Sequence, residues 1–250
     1  MDEKIKEGKS LELSLIIPVF NYEFQLPSNI NHVLQELRAG IYSFEIVLVN
    51  DGSTDRTAEK MEELSRGNPE VIIINNEQNR GKGYAVKAGM QKARGKYLFF
   101  TDVDLPYGIK PVLSGVKVLM ETDVDIVLGS RDLPESEDIL SYDRRRKLAK
   151  SVFSKIVNIF FRLGITDTQC GMKGFSRKAA EDIFSQVTTD GFGFDVEVLF
   201  LAGWKKYRIE LLPVRLKHSA STTVSLANDS VKMLGSLVRI KMNSLLKKYQ

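Results

Sequence analysis

Two carboxylates stand one residue apart at Asp102-Val103-Asp104, directly after an apolar run. Alternate residues at a strand end can aim two carboxylates at one hard cation, which takes oxygen ligands. A diphosphate would supply the remaining oxygens. Taken alone, the pair also reads as two loop acids capping a helix. Asp51 lies in Asn50-Asp51-Gly52-Ser53-Thr54-Asp55, where a carboxylate at a strand edge accepts hydrogen bonds from a base or a ribose. Gly52 suits a tight turn, and Ser53, Thr54 or Asp55 suits the cap of the next helix.

Asn79-Arg80-Gly81-Lys82-Gly83 precedes a helix. Two glycines let backbone N–H groups approach an anion, and a helix N-terminus favours negative charge. Arg80 and Lys82 add positive charge, whereas the spacing of a P-loop is absent. A solvated turn is the competing reading. Gly129-Ser130-Arg131 and the run Arg144-Arg145-Arg146-Lys147 offer cations, and guanidinium groups bind phosphate bidentately. Such a run also reads as a solvated face. Here it opens a helix with several aromatic residues, and basic residues beside exposed apolar ones suit a membrane interface. Asp167-Thr168-Gln169-Cys170-Gly171 reads as a polar turn. Asp195 and Glu197 read as a structural acid pair.

These clusters need elements to hold them. Residues 13–19, 45–49, 71–74, 96–101 and 125–128 read as short buried strands. Helical spacing falls at 29–37, in a polar segment ending near 66, after Gly83 and at 111–120. Strand and helix alternate with short links, which argues a parallel, doubly wound α/β sheet. Each cluster in this half follows or adjoins the end of a strand, the edge where open α/β sheets bind ligands. Beyond it, 144–163 and 178–184 read as helices and 194–202 as helical or extended. Residues 209–214 read as a strand and 225–249 as a long amphipathic helix.

Composition bounds the classes. At 250 residues, 43% hydrophobic and 27% charged, the chain suits an ordinary globular α/β protein with a sizeable core. One cysteine, Cys170, excludes a disulfide framework, and two histidines, His32 and His218, exclude a multi-histidine metal site. Residues 1–10 lack the apolar segment of a signal peptide, and no run is long enough to cross a membrane. A cytoplasmic location is therefore expected. From Leu201 onward ten basic residues face two acids, Glu210 and Asp229, which suggests a polyanionic partner such as a membrane surface or nucleic acid. No aromatic-interleaved RNA motif accompanies them, so nucleic acid is not expected.

Taken in order, five segments resemble glycosyltransferase family 2. They are Ile16-Ile17-Pro18-Val19-Phe20-Asn21, Val49 to Asp55, Asn79 to Gly83, Asp102 to Asp104 and Gly129 to Arg131. Residues 167–180 and Phe194-Asp195-Val196-Glu197 resemble its polyprenyl-phosphate branch, nearest the dolichyl-phosphate glucosyltransferases. The resemblance implies a GT-A fold, a mixed sheet flanked by helices, over 11–224. A nucleotide-sugar half would span 11–130 and an acceptor half 131–224. A flexible tail would cover 1–10 and a basic amphipathic helix 225–250.

The resemblance also implies an inverting hexosyl transfer, with glucose from UDP-glucose passing to a polyprenyl phosphate. Pro18, Asn21, Glu23, Asp51, Gly81, Lys82, Asp102 and Val103 would bind the donor. Asp102 and Asp104 would hold Mg²⁺ or Mn²⁺. Arg131, Arg144, Arg145, Arg146 and Gln169 would serve the acceptor phosphate, and Asp104, Asp167 and Arg131 would be catalytic. Asp167 is expected to orient groups rather than take a proton. Tyr22 stands where the family commonly has Glu, and Glu23 follows one place late. The enzyme would sit peripherally on the cytoplasmic face of a membrane. Two other readings compete. One is a hydroxyl acceptor, needing Asp167 or Asp195 as a base. The other is an inert binding protein on the same scaffold.

Overall fold

A computed structural model describes residues 11–40, 42–136, 144–216 and 226–249, without the side chains of 144–150 and 226–232. The expected tail at 1–10, the residues His218 and Lys217, and the side chains of Arg144, Arg145 and Arg146 lie outside that description.

Seven strands form one sheet. They are β1 Leu13–Val19, β2 Phe44–Asn50, β3 Val71–Asn75, β4 Tyr97–Phe100, β5 Ile126–Ser130, β6 Lys173–Ser176 and β7 Ile209–Pro213. Their spatial order is β3-β2-β1-β4-β6-β5-β7. The helices are α1 Leu26–Arg38, α2 Thr57–Gly67, α3 Lys82–Lys92, α4 Lys110–Glu121, α5 Arg144–Phe161, α6 Arg177–Gln186, α7 Phe194–Trp204 and α8 Leu226–Leu245.

The central strands β1, β2 and β4 are largely apolar on both faces because helices cover both faces. Leu13, Leu15 and Ile17 of β1 pack with Val33 of α1, Met61 of α2 and Val116 of α4. Ile16, between them, points the other way and packs with Val86 of α3, Phe184 of α6 and Leu199 of α7. The two-residue period of a strand thus feeds two cores. A third, smaller cluster joins Val157 of α5, Val196 of α7, and Leu237 and Ile240 of α8.

The sheet is mixed, as the family resemblance implies: the strands of the first half run parallel, and the reversal comes later. Strand β6 runs antiparallel to both β4 and β5, pairing Phe100 with Lys173 and Leu128 with Lys173. Its four residues include Lys173 and Gly174, so no apolar run marks it in the sequence. Its direction matters for function. The C-terminal ends of β1, β2 and β4 lie along one sheet edge, with Val19 opposite Asn50 and Ile16 opposite Phe100. An antiparallel β6 begins at that same edge, so the preceding 167–172 loop arrives beside Asp102. The C-terminal end of β5 brings Arg131 there as well.

The opposite edge is built for stability. Buried Glu45 accepts from Ser14 Oγ at 2.7 Å, Arg94 N at 2.6 Å and Arg94 Nε at 2.9 Å. Gly95 N then donates to Ser14 Oγ at 2.7 Å. Every carboxylate oxygen there has a partner, which burial demands.

Candidate active site

Asp102 and Asp104 leave β4 on a short turn. Asp102 Oδ1 lies 2.5 Å from Lys82 Nζ, an ion pair set at the first residue of α3. Its other side meets backbone. A Cβ placed on Gly171 would overlap Asp102 Oδ2, so any larger residue there would push the carboxylate aside. Val103 O accepts from Asn29 Nδ2 at 2.9 Å, and the same amide reaches Tyr22 Oη at 3.4 Å. Burial, and then the charge of Asp102, push the Asp104 carboxyl above the usual aspartate value. Burial presses the Lys82 ammonium down, but Asp102 and Asp195 outweigh it and raise Lys82 overall. The two carboxylates therefore form a focus of negative charge only partly answered by Lys82.

That donor set fits a hard divalent cation, since it offers carboxylate oxygens alone. Among the described residues no third His, Cys, Asp or Glu joins them to make a protein-only metal group. Two protein carboxylates plus substrate oxygens are how Mg²⁺ is commonly held.

Asp51 is a strut for the neighbouring turn. Its Oδ1 accepts from Asn76 Nδ2 at 3.0 Å and Arg80 N at 3.1 Å, and its Oδ2 from Gly81 N at 2.7 Å. Gly81 has φ of 104°, a conformation open to glycine. A Cβ there would meet Asp190 O at 2.7 Å, and one on Gly83 would meet Thr189 O at 2.5 Å. Asp190 O also accepts from Tyr84 N at 3.1 Å, so loop 188–193 is seated on the start of α3. Buried Glu197 fixes that loop in turn, accepting from Thr188 N, Thr189 N and Tyr249 Oη at 3.0, 2.7 and 2.7 Å.

On β1, Pro18 pairs with Val49, two residues before Asp51. Asn21 has φ of 48°. Its Oδ1 accepts from Thr54 N at 2.8 Å, and its N–H donates to Ser53 Oγ at 3.0 Å. Glu23 is turned to the start of α2, where Oε2 accepts from Arg56 N at 2.9 Å. Tyr22, rather than Glu23, is the side chain near Asp104, whose charge adds to burial in raising the phenol.

Arg131 and Asp167 form one unit. Arg131 donates to Asp167 from N, Nε and Nη2 at 2.9, 2.8 and 2.6 Å. Burial disfavours the Arg131 charge, but Asp167 more than offsets it, and the guanidinium is raised. Tyr107, Cys170 and Arg131 share this corner. Gln169 Nε2 is buried and has no hydrogen-bond partner among the described residues.

Sequence reasoning missed Asn29, Lys173 and Tyr107. Lys173 carries no signal of its own, because the short strand that buries it is not marked by an apolar run.

The pair of acids and the glycine turn at a helix start lie together at the edge where open α/β sheets bind ligands. The match to the glycosyl transferase family 2 model covers residues 14–184, and the chain belongs to that family. It is 33% identical to the dolichyl-phosphate beta-glucosyltransferase of Saccharomyces cerevisiae over 98% of this chain and 78% of that protein. The enzyme of that name from Homo sapiens is 31% identical over 84% of this chain and 68% of its own length. Among solved structures, glucosyl-3-phosphoglycerate synthase from Mycobacterium tuberculosis superposes with a TM-score of 0.70 at 20% identity. That match covers 92% of this chain and 78% of that one. The bacterial enzyme was solved with Mn²⁺, UDP and phosphoglyceric acid. The likeness establishes the GT-A fold. The chain is therefore a glycosyltransferase.

Proposed function

We propose that this enzyme transfers glucose from UDP-glucose to a polyprenyl phosphate with inversion. The acceptor phosphate oxygen forms the new bond to the anomeric carbon, and the bond from that carbon to the donor diphosphate breaks. The names of the relatives support the acceptor and the sugar. The observation that carries the reading is internal: both carboxylates eligible as a base are already engaged. Asp167 is held by Arg131, and buried Asp195 accepts from Lys173 Nζ at 2.5 Å. A hydroxyl acceptor needs a base. A phosphate monoester, with its second pKa near ~6, is largely ionised at neutral pH and needs none.

In this reading Asp102 and Asp104 hold Mg²⁺ or Mn²⁺. When bound, the cation draws charge from the leaving diphosphate. Pro18, Asn21 and Asp51 shape the nucleoside side, while Gly81, Lys82 and Val103 belong to the diphosphate side. Glu23 serves through the start of α2. Arg131, oriented by Asp167, meets the acceptor phosphate. The orphaned Gln169 amide is a donor that a phosphate oxygen would satisfy. Arg144, Arg145 and Arg146 at the start of α5 are proposed as further phosphate cations.

The lipid tail calls for an apolar surface. On α8, Leu234, Val238, Met242 and Leu245 form an exposed stripe opposite buried Leu237 and Ile240. On α5, Val152, Ile159 and Phe160 are exposed as well. Lys155, Arg239 and Lys241 stand exposed on the same helices, and Arg162 is exposed just after α5. This composition suits the interface of an anionic membrane. Among the described residues no helix is long and apolar enough to cross one. A peripheral position on the cytoplasmic face follows as part of the proposal.

The test is a donor screen with a short polyprenyl phosphate, reading released nucleotide. UDP-glucose should give the highest turnover, dependent on the acceptor. Equal turnover with a free saccharide and none with the lipid phosphate would overturn the acceptor assignment.

A further inference from the structure

Lys173 is a cation buried where its strand neighbours are apolar. Its side chain is 1% exposed. The ammonium donates to Cys170 O at 2.7 Å and to Asp195 Oδ1 at 2.5 Å, and stands 5.5 Å from the Phe100 ring centroid. Lysines are seldom buried so completely without a partner, and the partner here is equally enclosed.

What the pair holds is informative. Cys170 O is the carbonyl of the peptide that leads into Gly171. Gly171 lies so close to Asp102 that a methyl group would overlap its Oδ2. The Lys173 ammonium thus fixes the piece of backbone that backs this carboxylate. From the opposite side, Lys82 Nζ holds Asp102 Oδ1 at 2.5 Å. Asp195 in turn holds the Lys173 ammonium, so the backing of the Asp102 carboxylate is anchored on α7.

We propose that Lys173, with Asp195, is a positioning residue for Asp102, setting the carboxylate for the divalent cation through the Cys170-Gly171 backbone. This rests on the reading of Asp102 as a metal carboxylate. A fixed backing matters because carboxylate geometry must be held closely for a two-carboxylate site to bind well. Supporting groups of this kind typically change metal affinity by 10–100-fold.

The test is calorimetric titration of Mn²⁺ into protein saturated with UDP, with melting temperature and metal-free UDP affinity measured alongside. Lys173→Met should weaken Mn²⁺ by about tenfold or more. Asp195→Asn, which keeps the shape, should weaken it several-fold, and Gly171→Ala should weaken it by pushing Asp102 aside. UDP affinity without metal should change far less. Glu45→Gln, at the far edge of the sheet, should lower the melting temperature and leave Mn²⁺ affinity unchanged. That control separates positioning from general loosening.

Lys173→Met that folds and binds Mn²⁺ within twofold of the parent would overturn the proposal. Where Lys173→Met does not fold, Asp195→Asn decides by the same criterion. A parent protein that binds no Mn²⁺ with UDP present would instead refute the metal-site reading, and the proposal with it.

Discussion

The Arg131 guanidinium closes on the Asp167 carboxylate through Nε and Nη2 at 2.8 and 2.6 Å, with the Arg131 amide adding a third bond at 2.9 Å. Both parallel bonds are charge-assisted, and the planar fork fixes the arginine's direction. Asp167 is the orienting member of the pair.

Asp167→Asn should therefore cut activity only partly, by roughly 10–150-fold, and mostly through the acceptor. Loss of one orienting hydrogen bond to a charged group is worth about 1.5–3 kcal/mol. Steady-state kinetics with varied polyprenyl phosphate would show it, with donor binding near normal. Near-complete loss of turnover with both substrates still bound would instead mark Asp167 as a base.

Asp51 accepts three hydrogen bonds from the 76–81 segment. In Asp51→Asn one oxygen becomes an NH₂ group, which repels the Arg80 or Gly81 amide. The turn should loosen, with stability falling by about 1–3 kcal/mol. UDP affinity, read by calorimetry, should fall by about tenfold. Unchanged affinity would show that this turn does not shape the donor site.

Tyr249 joins the end of the chain to loop 188–193 through Glu197. Burial, then its hydrogen bond to the Glu197 carboxylate, raise the phenol well above the ordinary tyrosine value. A raised phenol favours the folded state while it stays protonated. Its contribution is full below the ordinary tyrosine value and disappears as pH rises through the folded-state value. Tyr249→Phe should lower stability by about 0.5–1.5 kcal/mol at neutral pH. Denaturant melts at increasing alkaline pH should show the gap between parent and variant closing. A gap that widens with pH would contradict this linkage.

The exposed stripe on α8 gives a surface prediction. Replacing Val238 and Leu245 by Glu should abolish co-sedimentation with anionic liposomes while leaving melting temperature within a few degrees, since neither side chain is buried. A parent that fails to bind such liposomes at low salt would remove the membrane from the account.

The sequence carried much of this, unevenly and for physical reasons. Strand β1 coincides with the apolar run at 13–19, because a strand covered on both faces must be apolar throughout. Strand β6 escaped notice because Lys173 and Gly174 interrupt its apolar pattern, and both serve long-range contacts, the glycine making room for Phe99. Segment 194–202 reads as either helix or strand, since apart from Asp195 and Glu197 it is apolar throughout. Burial of both sides of α7 accounts for that. Asp51 was legible as a strand-edge carboxylate, but its partners Arg80 and Gly81 lie about thirty residues away and only folding brings them in. For α8 the alternatives of core and lipid face were both readable. The helix divides them, with Leu237 and Ile240 inward and Val238 and Met242 outward.

The most direct measurement is formation of glucosyl lipid from labelled UDP-glucose and a short polyprenyl phosphate, across an Mn²⁺ titration, for the parent and Asp104→Ala. The account predicts saturable metal-dependent product for the parent and none above background for the variant. Product from Asp104→Ala with an unchanged metal dependence would contradict it.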